Sequence, residues 1–298
     1  MVRRAEEISS VDAVIRGFDE LGYVLDPALA TAVFLLVKMG RPLLVEGNAG
    51  VGKTDLAKTL AAYLSTELIR LQCYEGLDAN SAIYEWNYQK QLLAIRVREQ
   101  ANLTVEEKMR HIFGTEFLLE RPLLRSIRAE EGPPVLLIDE VDRSDEAFEA
   151  FLLELLSDFQ ITIPEFGTIL ARHRPYVVLT SNRTRDLSDA LRRRCLYHWI
   201  DYPDFERELR IVAARAPAVG AELGAEVVRF VEAVRQLNLA KPPGVAETLD
   251  CAAALQSLGK DHLNADSAEA ALATLAKSAE DRAKIKAEGI ERLLSRSS

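Results

Sequence analysis

The sequence predicts an α/β fold in which a mostly parallel sheet lies between helices and is followed by an all-helical region. Two observations carry this. Short apolar runs, Leu43 to Glu46, Leu68 to Gln72, Val135 to Ile138 and Tyr176 to Thr180, alternate with helical patterns over the first two-thirds of the chain. After Pro203 the strand pattern stops, and segments rich in Ala, Leu, Glu and Arg with helical spacing take over. The predicted domains are therefore residues 1–203 and 204–298.

Each element has its own signal. Helical patterning runs from about residue 5 to 21 and again over Pro27–Met39, where Ala28, Ala32, Leu35 and Leu36 recur at three- and four-residue spacing until Gly40 stops them. The four apolar runs are short and bounded by turn or charged residues, the mark of strands buried on both faces. Between Phe159 and Ala171 the pattern changes. Ile161 and Ile163 alternate with polar residues, Pro164-Glu165-Phe166-Gly167 makes a turn and Thr168-Ile169-Leu170 returns, which predicts a β-hairpin. Tyr84, Trp86 and Tyr88 also alternate, so an extended segment puts all three on one face, as a packed hairpin core more readily than as a client surface. Breaks at Pro217 to Gly220, Lys241 to Gly244 and Gly259 to Asn264 divide the C-terminal helices, and Ser295 to Ser298 read as a loose tail.

Composition narrows the classes of function. The 298 residues include 37 basic and 46 acidic side chains, a formal charge of −9. A surplus of acid disfavours a protein whose main task is to hold nucleic acid or coat an anionic membrane. Cys73, Cys195 and Cys251 form no CxxC pair, as expected of reduced thiols in a cytoplasmic protein. The N-terminus turns acidic at Glu6 and Glu7 where a signal peptide needs an apolar run, and no apolar stretch approaches the roughly 18 residues of a membrane span.

Chemistry concentrates in four places. Gly47-Asn48-Ala49-Gly50-Val51-Gly52-Lys53-Thr54 satisfies G-x-x-x-x-G-K-[ST], directly after a predicted strand and before a predicted helix. Its glycines let backbone N–H groups turn toward a phosphate chain, Lys53 neutralises β- and γ-phosphate charge, and Thr54 offers a hydroxyl to Mg²⁺. Asp55 follows in the helix's first turn and completes the predicted nucleotide-binding set. Val135 to Ile138 ends in Asp139 and Glu140, at the sheet edge where α/β folds bind ligands. There Asp139 can hold Mg²⁺ through water and Glu140 can polarise a water for in-line attack on a γ-phosphate. Asn182, at the polar tip after Val177-Val178-Leu179, has an amide able to bond both a water and a phosphate oxygen. The lesser alternative is an ordinary strand-ending turn residue.

The last place is Leu187 to Cys195, a predicted short helix capped near Ser188, with Leu187, Leu191 and Cys195 on its buried side. Arg192, Arg193 and Arg194 then lie about 100° apart around the axis and cannot all face one site. One or two can meet a phosphate held by another molecule while the rest pair with surface acids. His111, His173, His198 and His262 show no metal-ligand spacing.

This order of motifs resembles the AAA+ ATPases over nearly the whole chain. The extra segment Asp78 to Arg96 and the hairpin Phe159 to Ala171 are similar to the branch with a helix-2 insert and a pre-sensor hairpin, which includes the MoxR ATPases. Leu71 to Asp78, Tyr84 to Tyr88 and Leu191 to Trp199 are similar in wording to the CoxD-type accessory ATPases of molybdenum carbon monoxide dehydrogenase maturation. The resemblance implies ATP and Mg²⁺ as cofactors, Asp139 and Glu140 as the Walker B pair, Asn182 as sensor 1, and Arg194, with Arg193 in reserve, as arginine finger. It also implies a homo-oligomeric ring, expected to be hexameric, a helical lid, a von Willebrand factor A domain adaptor and a metalloenzyme client. One departure stands out: where many MoxR proteins read Ser-Pro-Arg-Ala at a lid helix, this chain reads Lys241-Pro242-Pro243-Gly244-Val245-Ala246-Glu247, without an arginine. The competing expectations are a nucleotide-dependent binding switch, a small-molecule phosphotransferase and a nucleic-acid-associated AAA+ motor.

Overall fold

Strand β1 (Leu43–Gly47), β2 (Leu68–Gln72), β5 (Val135–Asp139) and β8 (Tyr176–Ser181) form where the apolar runs predict them, and β1, β5 and β8 are buried along their whole length. In the computed structural model, which describes residues 8–97, 104 and 112–295, they join β9 (Leu196–Ile200) in one sheet of order β2-β5-β8-β1-β9. β2 pairs with β5, β5 with β8 and β8 with β1, all parallel. The register sets Gln72 opposite Asp139 and Glu46 opposite Ser181, so polar residues gather at the carboxyl ends of the strands. Residues 5–7 of the first predicted helix, His111 and residues 296–298 of the predicted tail lie outside the described residues.

The chain divides into two units. One is built from Thr31–Glu46 and Leu60–His198 and contains β2, β5, β8 and most of β1 and β9. Its core packs Leu44, Ile69, Leu136, Ile138, Val177 and Leu179 with the hairpin residues Ile161 and Ile163. The hairpin is β6 (Gln160–Ile163) with β7 (Gly167–Leu170), antiparallel as the alternation predicts. Helices α1 (Val11–Glu20), α2 (Pro27–Met39) and α3 (Lys53–Leu64) complete the N-terminal part of the chain. α1 starts later than the pattern predicts because Ser10 is extended and its hydroxyl caps Ala13 N–H at 3.2 Å.

Two expectations need correction. Tyr84–Trp86 is a strand, β3, but it pairs with Leu118–Glu120, β4, far along the chain, and Tyr88 begins helix α5 (Tyr88–Val97), after α4 (Ala79–Ile83). Trp86 is buried and Tyr88 exposed, so the three aromatics share no face. The switch from period 2 to a helix at Tyr88 removes the alternation, and Asn87 accepts from Lys90 N–H at the helix start. Strand β9 was not predicted, because Leu196-Tyr197-His198-Trp199-Ile200 is mixed in polarity and only partly buried.

The other unit comprises Ser10–Ala30, Gly47–Thr59 and the chain from Trp199 onward. Five main helices follow Pro203. Numbered after α6 (Pro122–Ile127), α7 (Glu146–Asp158) and α8 (Asp189–Arg194), they are α9 (Phe205–Arg215), α10 (Ala221–Arg235), α11 (Val245–Ser257), α12 (Ala265–Leu275) and α13 (Ala279–Glu288), with a short α14 (Ile290–Ser295) at the end. Val228, Phe230, Val231, Leu255, Leu272 and Ile285 make their common core. Inside it, Arg235 bonds Glu208 at 2.5 and 2.7 Å and the Pro243 carbonyl at 2.7 Å, while Thr248 donates to Glu208 at 2.5 Å. This buried pair ties α9, α10 and the start of α11 together, with every polar group occupied.

Among the described residues no helix is long and apolar enough to cross a membrane. All three cysteines are free and buried. Burial pushes the Cys73 and Cys195 thiols up to about 12 and Cys251 to about 11, with the charge of Asp139 raising Cys73 further.

Asp281 fixes the segment before α11, accepting Ala240 N–H at 2.8 Å and Lys241 N–H at 3.1 Å. The Ala240 bond above all holds its carboxyl below the usual carboxylate range. A depressed acid contributes stability above its unfolded value and loses it as pH falls through the folded one. Asp281→Asn is therefore expected to lower the thermal midpoint at pH 7, and the gap from wild type to close below about pH 4, as read by circular dichroism melts across pH.

Candidate functional site

The phosphate loop grows directly out of β1, whose last residue is Gly47, and ends where α3 begins at Lys53. A Cβ on Gly47 would stand 2.4 Å from the Ile200 carbonyl oxygen, so only glycine fits. Lys53 is buried and folds back over the loop, donating to the Gly47 carbonyl at 2.7 Å and the Asn48 carbonyl at 2.6 Å. Those bonds hold an ammonium at the mouth of a helix N-terminus, where anions are favoured. Tyr23, whose hydroxyl burial pushes well above its ordinary range, donates to the Gly52 carbonyl at 3.3 Å. Asp55 bonds Lys58 at 2.9 Å and Arg215 at 3.2 Å, so its carboxylate is committed to cations of the protein itself.

At the end of β5 the two acids diverge. Asp139 is 2% exposed. Its Oδ2 accepts from Arg70 Nε at 3.0 Å and a terminal guanidinium nitrogen at 2.6 Å, and its Oδ1 accepts from the Thr180 hydroxyl at 2.5 Å. Glu140 is one-third exposed and stands in the left-handed region (φ 55°, ψ 49°), with Arg143 3.4 Å away. That conformation costs a non-glycine residue about 1–2 kcal/mol, and it is held by Glu140 N–H donating to Thr180 Oγ1 at 2.9 Å. A buried carboxylate beside a partly exposed one divides two roles between neighbours, one fixed and one able to meet water.

Asn182 is tied to the same edge. Asp142, buried, accepts Asn182 N–H at 3.2 Å, Thr184 N–H at 2.8 Å and the Thr184 hydroxyl at 2.7 Å. The tips of β5 and β8 are thereby one hydrogen-bonded body, and Arg183, next to Asn182, is also left-handed at φ 56°. Two of the four left-handed non-glycine residues among the described residues, Glu140 and Arg183, thus stand at these adjacent strand ends.

The arginine helix α8 is capped by Ser188, which accepts Leu191 N–H at 3.3 Å, and buries Leu187, Leu191 and Cys195 as its spacing predicts. Its arginines part company. Arg192 turns inward, 3.6 Å from Glu46, a fully buried carboxylate that also accepts from Ser181 Oγ at 3.1 Å and Tyr197 OH at 3.0 Å. Arg193 and Arg194 are exposed, Arg194 bonding Ser157 at 2.7 Å and the Ala190 carbonyl at 3.2 Å.

The structure thus gathers Asp139, Glu140, Asn182 and the arginine helix in one unit and Gly47 to Asp55 in the other. Arg70, Thr180, Asp142 and Glu46 were missed in the sequence. A charged residue inside an apolar strand, as at Glu46 and Arg70, is the one signal that points to them.

A family model described as AAA domain (dynein-related subfamily) matches residues 42–195. The chain belongs to this AAA family. Its parallel sheet with flanking helices and C-terminal helical region is the P-loop AAA+ fold. The AAA chain is 26% identical to the denitrification regulatory protein NirQ of Stutzerimonas stutzeri over 218 residues, covering 70% of this chain and 69% of NirQ. With the uncharacterised protein YehL of Escherichia coli (strain K12) it shares 27% over 213 residues, 67% of this chain and 53% of YehL. Among solved structures, a mutant of Thermotoga maritima RuvB is similar at 19% identity and a TM-score of 0.48, covering 91% of this chain and 71% of that one.

Thr180 is the test of this edge. Thr180→Val keeps the volume but removes Asp139's donor and Glu140's acceptor, and is expected to cost about 1–3 kcal/mol in urea unfolding, whereas Thr180→Ser stays within about 1 kcal/mol of wild type.

Proposed function

We propose that the protein is a Mg²⁺-dependent ATPase that couples hydrolysis to conformational work on a protein client. The observation that carries this is the edge of β5 and β8, where Asp139 is buried and saturated while Glu140 is held in a strained, partly exposed pose by Thr180. Gly47 to Asp55 cradle the triphosphate, Lys53 exchanging its loop carbonyls for phosphate oxygens. Thr54 would hold Mg²⁺ by its hydroxyl and Asp139, whose oxygens are engaged by Arg70 and Thr180, would hold it through water; a hydroxyl and a carboxylate are the hard oxygen groups this ion favours, and it uses few protein ligands because it keeps several waters and takes phosphate oxygens. Among the described residues no group of three or more His, Cys, Asp or Glu is arranged to hold a metal alone. Bound Mg²⁺ would neutralise charge developing on the phosphates. Glu140 takes the proton of the attacking water, and Asn182 orients that water by its amide.

Arg192 turns inward toward Glu46 and Asp186, which leaves the exposed Arg194, with Arg193 in reserve, as the finger that a neighbouring copy's ATP would meet in a ring, expected to be hexameric. Residues 204–298 act as the lid. The resemblance to MoxR and CoxD-type proteins supports a maturation or remodelling role toward a metalloenzyme, molybdenum carbon monoxide dehydrogenase being the client that the wording favours, with a von Willebrand factor A domain adaptor and a cytoplasmic setting. The similarity to a denitrification regulatory protein is in keeping with an accessory role. A binding switch with incidental turnover is favoured by one feature, the absence of an arginine between Lys241 and Glu247. Client binding that is complete with a non-hydrolysable ATP analogue, and output that needs no hydrolysis, would identify the switch.

Steady-state ATPase and equilibrium binding of fluorescent ATP test the main proposal. Lys53→Ala is expected to lose binding, while Glu140→Gln binds normally and turns over at least about 100-fold more slowly. Undiminished turnover in Glu140→Gln would remove Glu140 as the base. Arg194→Ala is expected to lower turnover about 1,000-fold without weakening binding; normal hydrolysis by a strictly monomeric variant would remove the trans finger.

A further inference from the structure

The start of α11 lies against the phosphate loop, and both belong to the same unit. The contact is backbone on backbone. A Cβ on Gly244 would stand 2.8 Å from the Ala49 carbonyl oxygen and 2.9 Å from Gly50 Cα, and Ala246 N–H donates to the Gly50 carbonyl at 3.2 Å. Gly50 itself is left-handed at φ 77°, and a Cβ there would meet Glu247 Oε2 at 2.9 Å. Glu247 is fixed in that place because the same Oε2 accepts Gly244 N–H at 2.8 Å, closing the first turn of α11. Its other oxygen lies 3.7 Å from Lys277 Nζ, on a side chain 41% exposed, while Glu247 is 21% exposed. Lys241, the cation that the sequence places nearest, is exposed, and its N–H is engaged by Asp281. Arg215 of α9 reaches Asp55 beyond the loop, but the charged side chain that α11 holds against the loop's glycines is an acid.

We propose that Glu247 is an anionic gate on the phosphate loop that sets nucleotide affinity by repulsion, and that Lys277 tunes the gate by partly neutralising it. The proposal rests on the loop's binding a nucleoside triphosphate. A fixed carboxylate beside a site for phosphates raises the free energy of the bound anion, more for a triphosphate than for a diphosphate because the ligand's charge is larger. Glu247 thus keeps ATP binding loose and narrows the preference for ATP over ADP. The pairing with Lys277 makes the gate dependent on how α11 and the start of α13 sit together, so a partner that draws Lys277 away weakens ATP binding without touching the loop.

The test is equilibrium titration of the full chain with fluorescent ATP and ADP in Mg²⁺, comparing wild type, Glu247→Gln, Lys277→Met, the double variant and Lys53→Ala. Glutamine retains the capping acceptor, so thermal melts of Glu247→Gln should match wild type. Glu247→Gln is expected to bind ATP about fivefold more tightly, with a smaller gain for ADP. Lys277→Met is expected to bind ATP about two- to threefold more weakly, and the double variant to behave like Glu247→Gln. Should Glu247→Gln fail to fold, Lys277→Met decides alone, weaker ATP binding supporting the gate. ATP binding in wild type that depends on Lys53 but does not tighten in Glu247→Gln overturns the gate and leaves the nucleotide site standing. Wild type that binds neither nucleotide overturns the underlying site and the gate with it.

Discussion

The Thr180 hydroxyl donates to Asp139 and accepts from the backbone of Glu140, and this pair of bonds decides what the end of β5 can do. Without an acceptor for its N–H, Glu140 has no reason to stay left-handed, and without this donor the Oδ1 of the buried Asp139 loses the Thr180 bond while Oδ2 keeps Arg70. The bonds exist because β5 and β8 are parallel neighbours in fixed register, Ile138 opposite Leu179, which brings the next residue of each strand into reach. Asp142 repeats the device one step further on, accepting from the backbone of Asn182 and Thr184. Fully buried strands thus convert apolar packing into the placement of acids and an amide.

The formal charge of −9 conceals how the acids are used. Those buried at strand ends and helix starts each have an assigned partner: Asp139 has Arg70, Glu46 has Arg192 with Ser181 and Tyr197, and Glu208 has Arg235. Buried carboxylates left unpaired would cost several kcal/mol each, so these pairs are conditions for folding and also fix the direction of the chain at functional edges. Arg192 illustrates the consequence. Its ion-pair contact with Glu46 at 3.6 Å sets it apart from the two exposed arginines of α8 and turns it toward the residue that precedes the phosphate loop.

Much of this was legible in the sequence. The G-x-x-x-x-G-K-[ST] loop, the acid pair after Ile138, Asn182 and the capped arginine helix were all found where local pattern and chemistry coincide, since each depends on neighbours within a few residues. The hairpin at Gln160–Leu170 was legible for the same reason. What escaped depends on pairing across long sequence distances. Arg70 meets Asp139, Thr180 meets Glu140, and Tyr84–Trp86 finds its partner strand at Leu118–Glu120 only through the fold. Strand β9 escaped because its outer face is mixed in polarity. The missing arginine between Lys241 and Glu247 was legible as a departure from the MoxR wording, but the contact of Glu247 with Gly50 is a matter of tertiary approach.

The central claim is that the edge built on Thr180 performs chemistry on ATP. The most direct measurement is a single-turnover experiment, with protein in excess over γ-labelled ATP, following bound ATP and free phosphate after addition of Mg²⁺. The account predicts that all bound ATP is converted to ADP and phosphate in one Mg²⁺-dependent phase, and that chelation of Mg²⁺ stops it. ATP that stays bound and intact with Mg²⁺ present, under conditions where the protein assembles, would contradict the account and leave a site that binds without hydrolysing.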